Sequence, residues 1–214
     1  MSSLIIPDNI NELSRWDQVS LFHRHGDTIV VLDPPSQGKN GKKTLEKKKK
    51  TTTTKRLSDF ELFQFFGNGA HLNVGVIPKD GEIIVDLDGK DKDRAYADRF
   101  LDNTPALAGV PRVQTAGGYH LRFKCEDLPS SVRQAGYMVQ TEIAPGVNFE
   151  VFAGENYVVV PPSVHEKDIP YTWTVKGEVP AWSWEQISTA FNLPEQQEPA
   201  ESGPDEQEAE WAPN

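Results

Sequence analysis

Gly81-Glu82-Ile83-Ile84-Val85-Asp86-Leu87-Asp88-Gly89 is an apolar run that ends by presenting two carboxylates. Read as a strand, its side chains alternate, so Ile83, Val85 and Leu87 face one side while Ile84, Asp86 and Asp88 face the other. Two carboxylates one strand repeat apart repel each other unless a positive charge lies between them, and a hard divalent cation is the usual occupant. An isolated Asp-x-Asp is more often a polar turn ending a strand. What distinguishes this one lies downstream.

Arg112 to Thr115 and Tyr119 to Cys125 read as strands joined by Ala116-Gly117-Gly118. In the second, Leu121, Phe123 and Cys125 alternate with His120, Arg122 and Lys124, which predicts one apolar and one basic face. Three basic groups in register, after a Gly117-Gly118 turn that permits close backbone approach, point to phosphate. Met138 to Ile143 and Val147 to Phe152 form a further hairpin around Pro145-Gly146, with Phe149 and Val151 facing the core and Glu150 the other side. Tyr157 to Val160 is a short strand stopped by Pro161-Pro162-Ser163. A proline ending a buried strand is sufficient reason for that stop, so a structural role is favoured for Pro161, Pro162, Ser163 and His165. Tyr171 to Val175 reads as an edge strand, and Ser183 caps a last helix to Phe191.

Upstream, Leu13, Trp16, Val19, Leu21 and Phe22 follow helical spacing within Asn11 to His25, and Thr28 to Leu32 reads as a strand. Asp59 to Phe66 is a short helix. His71 to Ile77 and Glu82 to Asp88 are separated by Pro78-Lys79-Asp80-Gly81, whose Asp-Gly pair predicts a hairpin. Lys90 to Leu101 is an amphipathic helix expected to pack on the sheet face opposite the two aspartates. His23, His25 and His71 are read as packing or surface residues.

A chain of 214 residues with 37% hydrophobic and 25% charged residues fits one domain, taken as residues 1–193, with loose ends. The single cysteine, Cys125, excludes an intramolecular disulfide or a cysteine metal cluster and fits a cytoplasmic, reducing setting. No signal-peptide pattern and no run of about 18 apolar residues is present, so no membrane partner is expected. The formal charge of -10 hides segregation. Lys39 to Arg56 holds nine basic residues against one acidic, and Leu45 is its one apolar residue, so 37–57 is expected as a mobile basic loop. Lys42, Lys43, Lys47, Lys48, Lys49 and Lys50 are its candidate DNA contacts, set against a merely solubilising insertion. Residues 194–214 carry seven acidic and no basic residues and are expected as a disordered acidic tail. Trp211 is a candidate aromatic anchor there for a partner such as a separate helicase or single-strand-binding protein, set against an inert solubilising tail.

Paired carboxylates, a third on a later strand, a glycine loop leading into a basic face and a basic loop together meet the needs of nucleotidyl transfer. Two divalent cations, Mg2+ or Mn2+, bridged by carboxylates would hold a triphosphate and activate a hydroxyl, while basic groups neutralise phosphate.

Asp86-Leu87-Asp88-Gly89, then Pro111-x-Val113-x-Thr115-x-Gly117-Gly118-x-His120-Leu121, then Phe149-Glu150-Val151, then Tyr157-Val158-Val159-Val160-Pro161-Pro162-Ser163-x-His165 resemble, in order and spacing, the primase-polymerase domain of the archaeo-eukaryotic primase superfamily. The form resembled is the bifunctional DNA primase/polymerase N-terminal domain of plasmids, phages and integrated elements. The resemblance covers about Leu13 to Val175. It implies an α/β (α+β) fold with an RRM-like catalytic sheet and a smaller N-terminal α/β part. It also implies Asp86 and Asp88 as metal ligands, Glu150 as the third acidic position, often Asp in the family, and His120 as the triphosphate-binding histidine. Gly118 stands where many members have a serine, one hydroxyl contact fewer to a nucleotide. The expected activity is metal-dependent DNA primase/polymerase chemistry on a single-stranded DNA template with NTP or dNTP substrates. The alternatives are a non-catalytic DNA-binding replication accessory protein on the same fold and, less favoured, a metal nuclease.

Overall fold

Local chemistry sets most element boundaries in the computed structural model, which describes residues 3–37, 43–44, 56–69 and 71–194. In chain order the elements are β1 (Ile5–Ile6), α1 (Arg15–His25), β2 (Thr28–Leu32), β3 (Ser36–Gln37), β4 (Lys43–Thr44), α2 (Asp59–Phe66), β5 (Asn73–Ile77) and β6 (Glu82–Gly89). They continue with α3 (Ala95–Asp102), β7 (Arg112–Gln114), β8 (Gly118–Lys124), α4 (Ser130–Ala135), β9 (Tyr137–Ala144), β10 (Val147–Phe152), β11 (Val158–Val160), β12 (Thr172–Val175), β13 (Gly177–Glu178) and α5 (Trp184–Ala190). The Ser14 hydroxyl accepts from the Asp17 amide, so α1 begins at Arg15 rather than at Asn11. Ser58 and Ser183 open α2 and α5 with capping boxes to Glu61 and Gln186.

Two sheets carry the fold. A six-stranded antiparallel sheet has the order β12-β7-β8-β6-β10-β9, and a three-stranded sheet the order β11-β5-β2. In the large sheet Ile83, Val85 and Leu87 of β6 pack with Leu121, Phe123, Phe149 and Val151 beneath α3 and α5, through Ala97, Phe100, Leu101, Ile187 and Phe191. Helix α3 therefore lies opposite the aspartates, as its amphipathic pattern predicts, but it begins at Ala95 rather than Lys90, because Lys90–Lys92 form a separate 3-10 turn with Asp91 and Lys92 at positive φ. On the other face Ile84, Val113 and Trp173 join a second core with Val31, Val74, Val76 and Val160 of the small sheet, Phe22 of α1 and Leu62 of α2. The smaller unit covers this face as far as Ile84 and leaves the Asp86–Asp88 end open.

The hairpin expected between 71–77 and 82–88 does not form. β5 pairs with β2 and β11, and β6 with β8 and β10. The Lys79–Glu82 turn exists, with the Glu82 amide donating to the Lys79 carbonyl at 3.1 Å and Gly81 at φ 79. It carries the chain from one sheet to the other. Residues 73–76 and 82–85 are all buried, and strands covered on both faces are central strands needing two neighbours each. The smaller unit is likewise not purely N-terminal, because β11 is its third strand.

Ser36–Gln37 pairs with Lys43–Thr44 inside the segment expected as a loop. The rest of 38–55, with Lys42, Lys47, Lys48, Lys49 and Lys50, lies outside the described residues, as does 195–214 with Trp211. Among the described residues no helix is long and apolar enough to cross a membrane.

Candidate active site

Cross-strand register builds the site. Asp86 on β6 lies directly opposite His120 on β8 and Glu150 on β10, and His120 lies opposite Val113 on β7. Directly opposed residues of an antiparallel pair share a face, so Val113, His120, Asp86 and Glu150 form one row across the sheet. Asp88 is next along β6, opposite Gly118 and Asn148. Asp86, Asp88 and His120 line a cleft of about 230 Å3 with Lys92, Thr115, Gly117, His165, Lys167 and Tyr171.

The electrostatics are those of an undercompensated acidic site. His120 Nε2 lies 3.5 Å from Asp86 Oδ1, and that oxygen is enclosed without a hydrogen-bond partner, as is His120 Nδ1. Burial, and then the neighbouring Asp86 charge, raise the Asp88 carboxyl above its ordinary range; a bond from Lys92 partly offsets this. Partial burial works against the Lys92 ammonium, but its bond to Asp88 and the charges of Asp88, Asp86 and Glu150 outweigh it and hold Lys92 above the usual lysine value. Burial and a hydrogen bond to Glu150 push the Tyr137 phenol up to about 12. Burial beside Asp86 and Asp88 raises Tyr171, which packs 6.0 Å from the His120 ring and 6.3 Å from that of His165.

Hard carboxylate oxygens in excess of nearby cations, one of them an enclosed and unpartnered Asp86 oxygen, suit a divalent ion such as Mg2+ or Mn2+ in charge and chemistry. The donor atoms of Asp86, Asp88 and Glu150 are not gathered into a tight cage. Glu150 is bonded to Tyr137 and Asp88 to Lys92. Among the described residues the set whose ligand atoms all lie within 4.8 Å of one another is elsewhere: His25, Asp27 and Glu82. That set already holds cations. Arg122 reaches Asp27 at 2.5 Å and Glu82 at 2.7 Å, and Lys79 reaches Glu82 at 3.3 Å.

Arg122 is therefore a correction to the expected basic face. It shares the face of His120 but lies one row further along β8, opposite Ile84, where the smaller unit covers the sheet. Its side chain is 3% exposed, and the Asp27 and Glu82 carboxylates outweigh burial and raise its pKa. Lys124, a further row on, is partly exposed, pairs with Glu126 at 2.7 Å and lines a shallow pocket with Asp127 and Trp182 rather than the cleft. Two residues along a strand is about 7 Å, so a three-residue basic strip spans more than one site.

The glycine turn is in place, but its amides are occupied. Gly117 and Gly118 both donate to Thr115 Oγ1, at 3.2 and 2.9 Å. Gly117 lines the cleft, and Gly118 is pressed onto β6, where a Cβ would lie 1.8 Å from the Leu87 carbonyl oxygen. The Pro161-Pro162-Ser163-x-His165 stretch divides. Ser163 is buried, its hydroxyl accepting from the Val74 amide at 2.8 Å and donating to the Val74 carbonyl, while Asn73 clamps Val164 through both backbone groups. His165 turns instead into the cleft, on a loop closed by a Val164–Pro170 bridge. Lys92, Thr115, Lys167, Tyr171 and Tyr137 are absent from the sequence-derived site. Lys92, four residues after Asp88, had a usable signal in its spacing; the 165–171 loop had none, because tertiary folding alone brings it over β6.

Two antiparallel sheets and their helices, with a polar cleft on the larger sheet beneath the 165–171 loop, make this an α+β domain. The family model for the bifunctional DNA primase/polymerase N-terminal (Prim-Pol) domain matches residues 15–188, and the chain belongs to that family. Comparison with curated proteins returns no match. Membership supports a DNA primase/polymerase-family function in general, with DNA and nucleotides as the substrates the family implies.

Proposed function

We propose that the chain is a metal-dependent nucleotidyltransferase that joins nucleotides from NTPs or dNTPs on a single-stranded DNA template. The observation that carries this reading is the strand register that sets His120 and Asp86 side by side in the cleft, with Asp88 next along β6 and Glu150 in the same row on β10, outside the cleft lining. Asp86, Asp88 and Glu150 would hold Mg2+ or Mn2+, which when bound neutralises the triphosphate and lowers the pKa of the attacking hydroxyl. The chain's own groups do the rest. His120 and Lys167 line the cleft and supply donors and positive charge to the triphosphate. Gly117 offers no side chain to block it. Tyr137 holds the Glu150 carboxylate by its phenol, which stays protonated at neutral pH. Bond formation joins a primer hydroxyl to the α-phosphate, and pyrophosphate leaves. The lysines at 42, 43 and 47–50 supply contacts to template phosphate.

The test is incorporation of labelled nucleotides on single-stranded template with Mg2+ or Mn2+, by the parent protein and by Asp86→Ala and Asp88→Ala. Each substitution is expected to lower the rate by roughly a hundredfold or more without loss of folding. Parent-like rates in either variant overturn the assignment. Template binding without incorporation by the parent protein would instead support an accessory role on the same fold.

A further inference from the structure

We propose that Lys92 is a built-in counter-ion of the carboxylate site, which occupies Asp88 in the metal-free protein and must be displaced for a divalent cation to bind. The proposal rests on the metal-site reading above and adds a competitor to it. The Lys92 ammonium contacts Asp88 Oδ2, and Lys92 lines the cleft together with Asp88 and Asp86.

Its backbone is built for this position. After β6 the chain makes a short 3-10 turn over Lys90–Lys92, in which Asp91 and Lys92 take left-handed conformations, φ 56 and 59. Non-glycine residues seldom adopt these, and two in succession are held only where the surroundings over-determine them. The Lys90 amide donates to the Gly146 carbonyl at 2.7 Å and the Asp93 amide to the Lys90 carbonyl at 2.9 Å, pinning the turn to the β9–β10 hairpin. The Lys92 stem lies against Gly117, where a Cβ would come within 2.7 Å of Lys92 Cδ. The Lys92 side chain as a whole is 60% exposed, so its ammonium can leave Asp88 for solvent.

An internal ammonium resolves the repulsion that two adjacent carboxylates suffer without metal. It also explains why the donor atoms of Asp86, Asp88 and Glu150 are not gathered around a common point: the pair Lys92–Asp88 is satisfied as it stands. Any cation that takes Asp88 must first break it, so apparent metal affinity is lowered by the strength of that pair.

The experiment is Mn2+ binding to the full chain, read by calorimetry and by loss of the free-ion EPR signal, for the parent, Lys92→Met, Lys92→Arg and Asp88→Asn. Thermal melts with and without Mn2+ accompany it. Lys92→Met is expected to bind Mn2+ about 3- to 10-fold tighter than the parent. It should melt at a lower temperature without metal, and that loss should be repaired by Mn2+. Lys92→Arg, which keeps the charge, should bind like the parent, and Asp88→Asn more weakly. Equal or weaker Mn2+ binding by Lys92→Met overturns the competition while leaving the metal site intact. Absence of Mn2+ binding in the parent and in Lys92→Met overturns the metal-site reading and the competition with it.

Discussion

His120 and Lys124 look equivalent in the alternation of β8, yet four residues of strand separate a cleft histidine from a half-exposed lysine paired with Glu126. The contrast yields a prediction at the residue scale. His120→Ala should raise the apparent KM for nucleotide by roughly tenfold, the worth of one charge-assisted hydrogen bond. Lys124→Ala should leave it unchanged. Nucleotide titrations in steady-state incorporation assays distinguish the two, and equal effects from both substitutions would return the basic strip to consideration as one phosphate track. The faces of β6, β8 and β10 that carry Asp86, Asp88, His120 and Glu150 were legible because strand alternation needs nothing but the sequence, whereas the register that sets them in one row was not. Burial of Arg122 was not legible, since the residues that bury and pair with it, Asp27 and Glu82, are 95 and 40 residues away.

At the scale of elements, the β6–β8 pair is the part of the sheet with least tolerance. Gly118 faces Asp88 in register, and its missing side chain is the space in which the two backbones meet. Glycine is needed at this position for a physical reason: a Cβ would lie 1.8 Å from the Leu87 carbonyl oxygen, and backbone cannot yield as a flexible side chain does. Gly118→Ala should therefore cost about 2 kcal/mol or more and lower the melting temperature, with incorporation falling in parallel as Asp88 shifts. A melting temperature equal to the parent's would show that the strands can separate locally at no cost. The β5–β6 turn teaches the complementary lesson. Asp80-Gly81 was correctly read as a turn, but a turn reports a change of direction and not which strands pair on either side of it.

For the whole molecule, the junction between the two sheets is held by a buried charge cluster. Burial would raise the Glu82 carboxyl, but the His25 hydrogen bond and the Arg122 charge outweigh it and hold Glu82 at about 2, against an ordinary 4.5. A carboxyl depressed on folding stabilises the native state above its unfolded pKa and loses that contribution as pH falls through the folded one. The contribution, roughly 3 kcal/mol, should be complete above about pH 4.5 and lost as pH falls to about 2. Urea melts across that window should show the slope in the parent and lack it in Glu82→Gln. Arg122→Met, which leaves buried Asp27 without its ion pair and Glu82 with only His25 and Lys79, should cost about 3 kcal/mol or more at neutral pH, far more than the same change at Lys124. The lysine-rich segment makes its own prediction at this scale. Deleting 39–55 should weaken single-stranded DNA binding and flatten its dependence on salt, because fewer counterions are released, whereas an unchanged slope would mark the segment as a solubilising insertion.

The sequence by itself determined the strand that presents Asp86 and Asp88, the hairpins that carry His120 and Glu150, the cap of α5 and the family, because each of these rests on alternation, turn chemistry or motif spacing along the chain. Only the tertiary structure decided which strands share a sheet, which of three basic residues meets the cleft, that His165 and Tyr171 stand over the carboxylates, and that Lys92 rests on Asp88. Those outcomes depend on what covers each face and on which opposite charges meet there. Burial and Coulomb energy are properties of neighbours in space, and sequence distance does not record them.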